Sequence, residues 1–348
     1  MNLNFLKTCK KVHFVGIGGI GMSALAFILR EWNIAVKGSD LNENYLTPKL
    51  KEVGVEYILG HYGENIDEDV DLVVKTSIIK DDNPEIIAAK VKNIEIITRA
   101  QLLAVIMSSY KSITIAGTHG KTSTTAMTAL VLEAGKLDPT VVNGGVIHYY
   151  GSNSKIGNGK YIVAESDESD GSFVDLPSYI GAVTNIEPEH LDCKIYGGDF
   201  AKQRAFFLKY INQIPQDGLC ALCIDNEEVR KIYEDLKNDN SQLISYSIKG
   251  EADIKAYNIV TSYDGSIFDV VFKDGRKLEN IKMPVYGNHN VSNSLVAIAI
   301  ADFLKVEESQ IKSGLATYNG VKRRFTKVGN FHGASVIDDY AHHPTEIK

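Results

Sequence analysis

Cysteine is scarce: four residues in a chain of 348 do not make the disulfide framework that staples small secreted domains. Two of them, Cys220 and Cys223, form a C-x-x-C, but they sit in GLCALCID, an apolar run that reads as a buried strand. Residues three apart on a strand point to opposite faces, so plain packing explains the pair better than a redox or metal role. Long apolar runs are missing as well. No segment reaches the roughly 20 residues needed to span a bilayer, and MNLNFLKTCKKVHFVGIGG has no uninterrupted apolar stretch before its glycines, so the expected compartment is the cytoplasm. Positive charge is not in excess either. With a formal net charge of -7 and 23% charged residues, neither nucleic acid nor an anionic membrane is expected as a general partner, and any polyanion must be met locally. Internal repeats and low-complexity stretches are absent from the sequence.

Apolar material, by contrast, is plentiful: 44% of residues are hydrophobic, enough for separate cores in two domains or more. Lys11 to Val15 reads as a strand, GIGGIGMSALAFILREW as glycines giving way to a helical period, and AVKGSD as a second strand ending in an acid. Further alternation through LVVKTSII and IEIITRAQLLAVI completes a parallel-sheet domain expected over residues 1–107. A second domain, expected over 108–320, opens with the strand SITIAG, the loop THGK and the helix TSTTAMTALVLEAG, and continues through the apolar strands YIVAE, YIGAVTNI, GLCALCI and LISYSI. From Asp253 to Tyr286, alternating residues with turn signals at Tyr-Asp-Gly and Lys-Asp-Gly indicate antiparallel strands added to the parallel core, and the helix VSNSLVAIAIADFL closes the block. Residues 321–348 offer two strands, near Phe325 to Val328 and Ser335 to Asp338, and Pro344 suits the first turn of a helix. This block is expected to be the start of a third α/β domain, cut short, with its strands left unsupported.

Two glycine loops carry the chemistry. Gly16, Gly18 and Gly21 satisfy G-x-G-x-x-G between a strand and a helix, and Asp40 ends the next strand about twenty residues later. Such glycines allow a tight turn and close approach of diphosphate oxygens to helix N-terminal amides, which selects a diphosphate but not specifically NAD; glycines serving only helix–strand packing would give the same letters. The second loop, TIAGTHGKTS, departs from G-x-x-x-x-G-K-[ST] because Ile115 stands where the first glycine belongs. Its physical parts survive in shorter form: Gly117 and Gly120 free the backbone, Lys121 brings a cation for the β and γ phosphates, and Thr122 brings a hydroxyl for magnesium. An ordinary capping turn is the competing explanation. Two such loops in consecutive α/β domains imply two different phosphorylated ligands.

Further candidates lie at strand ends. Glu165 closes YIVAE, where a carboxylate could hold magnesium directly or through water, and the cluster continues through Asp167, Glu168 and Asp170, which solvated loop acids would also explain. AVTN leads into IEPEHLD with Asn185 and His190, a second strand-end position suited to metal or phosphate. Asn290 and Asn293 in YGNHNVSNS could meet a purine edge, or Asn290 could cap the helix. GVKRRF brings Lys322, Arg323 and Arg324 together, a solvated basic face or a phosphate contact.

Taken in order after HFVGIGGIGMSALA, the segments AGTHGKTS, VAESDESDGSF, TNIEPEHLD, YGNHNVSNS, GVKRRF and VIDDYAHHPTEI closely resemble the Mur ligase family over essentially the whole chain. The resemblance implies a Rossmann-like N-terminal domain for a UDP-sugar, a central P-loop-type ATPase domain and a C-terminal ligase domain. The implied activity is ATP-dependent joining of L-alanine to the carboxylate of UDP-N-acetylmuramate through an acyl phosphate, a step of peptidoglycan precursor synthesis, with ATP and Mg2+ as cofactors. It makes Gly117, Thr118, His119, Gly120, Lys121, Thr122 and Ser123 the phosphate loop, and Thr122 and Glu165 ligands of one magnesium. His190 becomes the ligand of a second magnesium near the sugar carboxylate, so that Lys121, Glu165 and His190 form the catalytic set. Asn290 and Asn293 fall on the adenine side, Arg324 contacts phosphate, and Asp339 lies in a nucleotide-facing motif. Gly18, Gly19 and Asp40 match UDP-domain positions, with Thr76 and Ser77 in a loop that usually reads SSAI and here reads TSII. Asn288 stands where arginine is commoner. A chain of this extent is expected to bind nucleotide weakly and not to turn over alone. The competing readings are a tripeptide-adding recycling ligase of the same family, an NAD-dependent oxidoreductase, which leaves the GKT loop and Glu165 unexplained, and a nucleotide-binding module without catalysis.

Overall fold

In a computed structural model of the chain, which describes residues 2–343 and Ile347, the first glycine loop follows Lys11–Val15 (β1) and leads into helix Ile20–Glu31 (α2). A short helix, Leu3–Thr8 (α1), precedes it, with the Asn2 side chain accepting from the Phe5 N–H as N-cap. Then come Ala35–Asp40 (β2), Thr47–Glu52 (α3), Glu56–Leu59 (β3), Leu72–Lys75 (β4), Pro84–Val91 (α4), Glu95–Thr98 (β5) and Arg99–Met107 (α5). The strands form a parallel sheet in the order β3-β2-β1-β4-β5. Residues up to Tyr110, with Asn153–Ile156 and Asp175–Pro177, make one compact unit. Val12, Phe14, Leu25 and Leu29 are fully buried in it.

A polar knot ties the sheet of this unit together. The carboxylate of Glu85, wholly buried at the start of α4, accepts from Ser39 Oγ at 2.6 Å and Asn65 Nδ2 at 2.7 Å, and lies 3.1 Å from His13 Nε2 and 2.9 Å from His61 Nδ1. Burial alone would raise its pKa, but hydrogen bonds from His13, Ser39 and Asn65 and the nearby imidazole charge reverse the shift and hold it below the ordinary value. These contacts join β1, β2 and the segments after β3, fixing the strand end from which Asp40 projects.

The second unit comprises Lys111–Ser152, Gly157–Val174 and the chain from Ser178 onward. Its elements are Lys111–Ala116 (β6), Lys121–Ala134 (α6), Thr140–Ile147 (β7), Tyr161–Glu165 (β9), Ile180–Val183 (β10), Phe200–Asn212 (α7), Leu219–Cys223 (β11), Glu227–Leu236 (α8) and Leu243–Ser247 (β12), while the short strand Ser152–Lys155 (β8) belongs, beyond Ser152, to the first unit. Antiparallel Ile254–Ser262 (β13), Gly265–Phe272 (β14) and Lys277–Met283 (β15) follow, then Asn288–Phe303 (α9), Glu308–Thr317 (α10), and a hairpin of Thr326–Phe331 (β16) and Ala334–Asp338 (β17). Within this unit the strands run in the order β15-β14-β13-β12-β11-β10-β6-β9-β7, with β6 hydrogen-bonded in parallel to β9 and β10. Met127, Leu130, Val296, Ile300 and Leu315 pack on one face, and Phe207, Tyr210, Ile211 and Ile232 on the other. Cys223 belongs to the first cluster and Cys220 to the second, the opposite faces expected from their spacing.

The antiparallel addition and its two turns fall where the sequence indicated them. Elements that were not anticipated include α1, α3, β3, β7, β8 and α10. The hairpin β16–β17 pairs only with itself, and most of its side chains are exposed. Pro344 and the helix expected there lie outside the described residues. Among the described residues, no helix is long and apolar enough to cross a membrane.

Asp253, just before β13, anchors the junction of parallel and antiparallel strands. Its carboxylate accepts from Ser245 N–H, Ser245 Oγ and Tyr233 OH, each at 2.8 Å, and pairs with Lys273 Nζ at 2.9 Å. Burial would push its pKa up, yet these donors outweigh burial and bring it down to about 2. A depressed carboxyl contributes stability that is present above its unfolded value and lost as pH falls through its folded one. Asp253→Asn is therefore expected to cost about 2 kcal/mol at pH 7, with the gap to wild type closing between about pH 4 and pH 2. Urea denaturation across that range measures it; a gap independent of pH would contradict the assignment.

Candidate active site

Because β9, β6 and β10 lie side by side and parallel, their carboxyl ends deliver three loops to one edge of the sheet, with Ile115 opposite Glu165 and Ala116 opposite Val183. A cleft of ≈ 230 Å³ opens there, and its walls include Lys121, Thr122, Glu165, His190, Arg324 and His342. A larger concavity of ≈ 470 Å³, between Arg204 of α7 and Arg230 and Glu234 of α8, is bordered by exposed charges away from these strand ends.

The loop from Gly117 to Gly120 is held by its neighbours. Gly117 adopts φ +132, and a Cβ there would fall 2.1 Å from Thr184 Oγ1, so the late glycine is required by both backbone and space. Gly120, at φ +84, is the N-cap of α6, and a Cβ on it would meet Asn293 Oδ1 at 2.7 Å. Asn185 clamps the loop: its carbonyl accepts from Thr118 N–H at 3.0 Å, its Oδ1 accepts from His119 N–H at 2.7 Å, and its Nδ2 donates to the His119 carbonyl at 3.0 Å. The free amides at the start of the 14-residue α6 make this edge attractive to anions.

Lys121 curls back over the loop. Its Nζ donates to the carbonyls of Gly117 at 2.6 Å and Thr118 at 2.9 Å and pairs with Glu168 Oε2 at 2.8 Å. Burial would lower the pKa of the ammonium, but Glu168, Glu165 and Asp167 outweigh it, raise the pKa and keep the group charged. Burial pushes the Glu168 carboxyl up to about 7 in spite of its pairing with Lys121. Glu165 turns elsewhere: its Oε2 accepts from the Gly144 N–H of β7 at 2.8 Å, and a Cβ on Gly144 would lie 2.2 Å from that oxygen. Gly145 likewise admits Thr122, whose Cγ2 would be 3.2 Å from an added Cβ.

His190, at φ +55, is grouped with Glu168 and Glu189, their ligand atoms all within 4.8 Å of one another. Thr122, Glu165 and His190 thus border one cleft, while the carboxylates nearest His190 are Glu168 and Glu189. Arg324 lies over the Tyr340 ring, 5.7 Å from its centroid, on the cleft wall. Asp339 is turned to the backbone, accepting from Phe325 N–H and Ala341 N–H at 2.6 Å each. Ser123 follows Thr122 within α6 and is not on the cleft wall. Asn290 does not cap α9; the N-cap is Gly287, and Asn290 Nδ2 donates to the Tyr286 carbonyl at 2.9 Å. Asn293, nearly buried, lies against the phosphate-type loop at Gly120.

Within the first unit, Asp40 Oδ2 accepts from Gly18 N–H at 2.9 Å, and Asn44 Nδ2 donates to the Gly18 carbonyl at 2.7 Å. Gly19 is the N-cap of α2. Thr76 follows β4, its Cγ2 3.8 Å from where a Cβ on Gly16 would stand, and the next residue, Ser77, is exposed. Sequence reasoning passed over Gly144 and Gly145, whose adjacency inside a strand signals close approach of another group, and gave Glu168 no site role.

The comparisons with known proteins agree with one another. The Mur ligase family catalytic domain matches residues 11–111 and the Mur ligase middle domain residues 115–301. A UDP-N-acetylmuramate–L-alanine ligase of Sinorhizobium fredii is 44% identical over 347 residues, covering 98% of this chain and 73% of that protein. Its counterpart in Rhodospirillum centenum is 42% identical over 97% of this chain and 70% of that one. Among solved structures, the UDP-N-acetylmuramate–alanine ligase of Thermotoga maritima superposes with a TM-score of 0.85 at 32% identity, over 97% of this chain and 75% of that one. A murein peptide ligase of Psychrobacter arcticus gives 0.81 at 27% identity, over 97% and 74%.

Proposed function

Since this chain belongs to the Mur ligase family, we propose that it is a ligase that joins L-alanine to the carboxylate of UDP-N-acetylmuramate, driven by ATP. The observation that carries the reading is a protonated lysine, Lys121, on a strand–loop–helix cradle, with Glu165 ending the adjacent strand. We assign the UDP-sugar to residues 1–107, ATP to 108–320, and 321–348 to a third, ligase domain.

The chemistry demands activation. A free carboxylate resists attack by an amine, whereas its phosphate anhydride offers a good leaving group, so the γ-phosphoryl passes to the muramyl carboxylate before the alanine amine displaces it as phosphate. Lys121 leaves its loop carbonyls for the β and γ phosphates and offsets their charge. The loop amides and the N-terminus of α6 orient the triphosphate, Arg324 reaches it from the far wall, and Asn290 and Asn293 serve the adenine side. Gly18, Gly19 and Asp40, with Thr76 and Ser77, hold the UDP-sugar; Asp40 acts by fixing Gly18, to which it is already bonded.

The donors around the cleft suit magnesium. The Thr122 hydroxyl and Glu165 carboxylate are hard oxygen ligands beside the phosphate loop, and His190 with Glu168 and Glu189 offers a second set. Bound there, the ion would neutralise charge on the transferring phosphoryl group. Gly144→Ala tests this assignment, because the added Cβ displaces the Glu165 carboxylate. It should lower Mg2+-dependent ATP affinity roughly tenfold, about 1.4 kcal/mol, and leave UDP-N-acetylmuramate binding unchanged. Calorimetry with and without Mg2+ reads both, and an unaltered magnesium dependence would remove Glu165 from the metal site.

The reading as a whole is tested by titrating the chain with UDP-N-acetylmuramate and with MgATP. Two separable heats are expected; silence from both ligands would reject it. Phosphate release by a version extended to the full length of its relatives, if it requires the sugar nucleotide and an amino acid together and prefers alanine to a tripeptide, would fix the amino-acid specificity.

A further inference from the structure

We propose that His119, Glu187 and His343 form a binding site for a borderline-soft divalent cation, with Zn2+ as the best fit, separate from the magnesium of the nucleotide. Glu187 Oε2 lies 3.4 Å from His119 Nε2 and 3.9 Å from His343 Nδ1. The imidazole centroids are 4.8 Å apart at an interplanar angle of 36°, and the ligand atoms of all three residues lie within 4.8 Å of one another. A tetrahedral ion with bonds of about 2.0–2.1 Å sets its ligand atoms roughly 3.3 Å apart. One edge of that tetrahedron is in place, and the others close by small side-chain rotations.

Two of the three ligands stand on backbones locked to each other. Glu187 N–H donates to Thr118 Oγ1 at 2.9 Å, and the neighbouring His119 is bonded through its N–H and carbonyl to Asn185. The other nitrogen of His119, Nδ1, faces Glu189 Oε2 at 3.8 Å, the outer carboxylate that commonly orients a metal-binding imidazole and leaves Nε2 for the ion. Two imidazoles and one carboxylate suit zinc and leave a fourth position for water, whereas magnesium favours an octahedron of oxygens and competes poorly for nitrogen. The third ligand comes from a distant part of the sequence. An ion here would therefore cross-link the segment after β17 to the phosphate loop, independently of any nucleotide.

The test uses the untagged chain in metal-free buffer with millimolar Mg2+ and no nucleotide, and Zn2+ competed against a chromophoric chelator. One Zn2+ per chain is expected. His343→Ala and Glu187→Gln should each weaken binding at least tenfold, while His342→Ala retains it. Co2+ should give the visible bands of a four-coordinate ion in wild type and lose them in His343→Ala. Circular dichroism and the metal-free melting midpoint establish that each variant folds; if one does not, the other variant and the wild-type Co2+ spectrum decide. The proposal is overturned if wild type binds no Zn2+, if both folded variants bind it as tightly as wild type, if Co2+ shows no four-coordinate spectrum, or if binding is lost in His190→Ala and kept in His343→Ala.

Discussion

Replacing Lys121 with methionine should cost the chain on the order of 10- to 100-fold in affinity for MgATP, the worth of one or two charge-assisted contacts to phosphate. The same change strands Glu168, whose side chain is 1% exposed and whose nearest cation is Lys121 at 2.8 Å. Removing one partner of a buried pair ordinarily costs about 3–5 kcal/mol, but this carboxyl has a way out, because burial already lifts its pKa to about 7 and loss of the ammonium lifts it further. A carboxyl whose folded pKa is raised binds more protons folded than unfolded. Stability then falls as pH climbs from the unfolded value of 4.5 through the folded one. Lys121→Met should accordingly lose more melting temperature at pH 8 than at pH 6. Adding Glu168→Gln should restore most of that stability and none of the nucleotide affinity. Equal losses at the two pH values would show that Glu168 does not depend on Lys121.

Gly117→Ala is expected to be nearly as damaging by a different route. At φ +132 any side chain is strained, and the new Cβ would stand 2.1 Å from Thr184 Oγ1, an atom held in place by its 2.6 Å hydrogen bond to the His119 carbonyl. Strain of about 1–3 kcal/mol and overpacking of about 1–3 kcal/mol both fall on this loop. A melting midpoint lowered by several degrees, with MgATP binding lost, is the expected result. Thr184→Ala in the same chain removes the side-chain collision but neither the backbone strain nor the tight approach to the amide nitrogens of residues 184 and 185 at 3.0 and 3.1 Å, so it should recover part of the stability. Full recovery would mean that the positive φ costs nothing, and no recovery that the collision is not the cause.

Both predictions concern the segment that the sequence announced most clearly. Strand, glycines, lysine and helix in TIAGTHGKTS are local signals, and β6, the loop and α6 follow them to within one residue at each boundary. The antiparallel strands were equally legible because Asp-Gly turns and period-two alternation are also local. What escaped were features defined by who comes near. TVVNGGVI carries Asn-Gly-Gly where a turn is the usual reading, yet it extends as β7, and its glycines are explained by the approach of Glu165 to Gly144 and of Val321 and Thr122 to Gly145. Glu168 sits in a run of acids that resembles any solvated loop; its burial comes from the tertiary fold, with Tyr196 OH donating to its carbonyl at 2.5 Å and Lys121 closing over its carboxylate. Asn290 was assigned the capping alternative on position alone, whereas Gly287, whose φ of +101 suits glycine, starts the helix one turn earlier. The Glu85 knot links residues far apart in sequence and left no short-range trace at all.

The two sulfurs of β11 bear on how the chain meets oxidants. Cys220 and Cys223 face away from each other across a central strand, and burial pushes both thiols' pKa values up, so neither presents a thiolate. To bridge them, peroxide or glutathione disulfide would first have to tear open the middle of the sheet. Closeness along the sequence here amounts to insulation, and this strand stays chemically silent for as long as the protein remains folded.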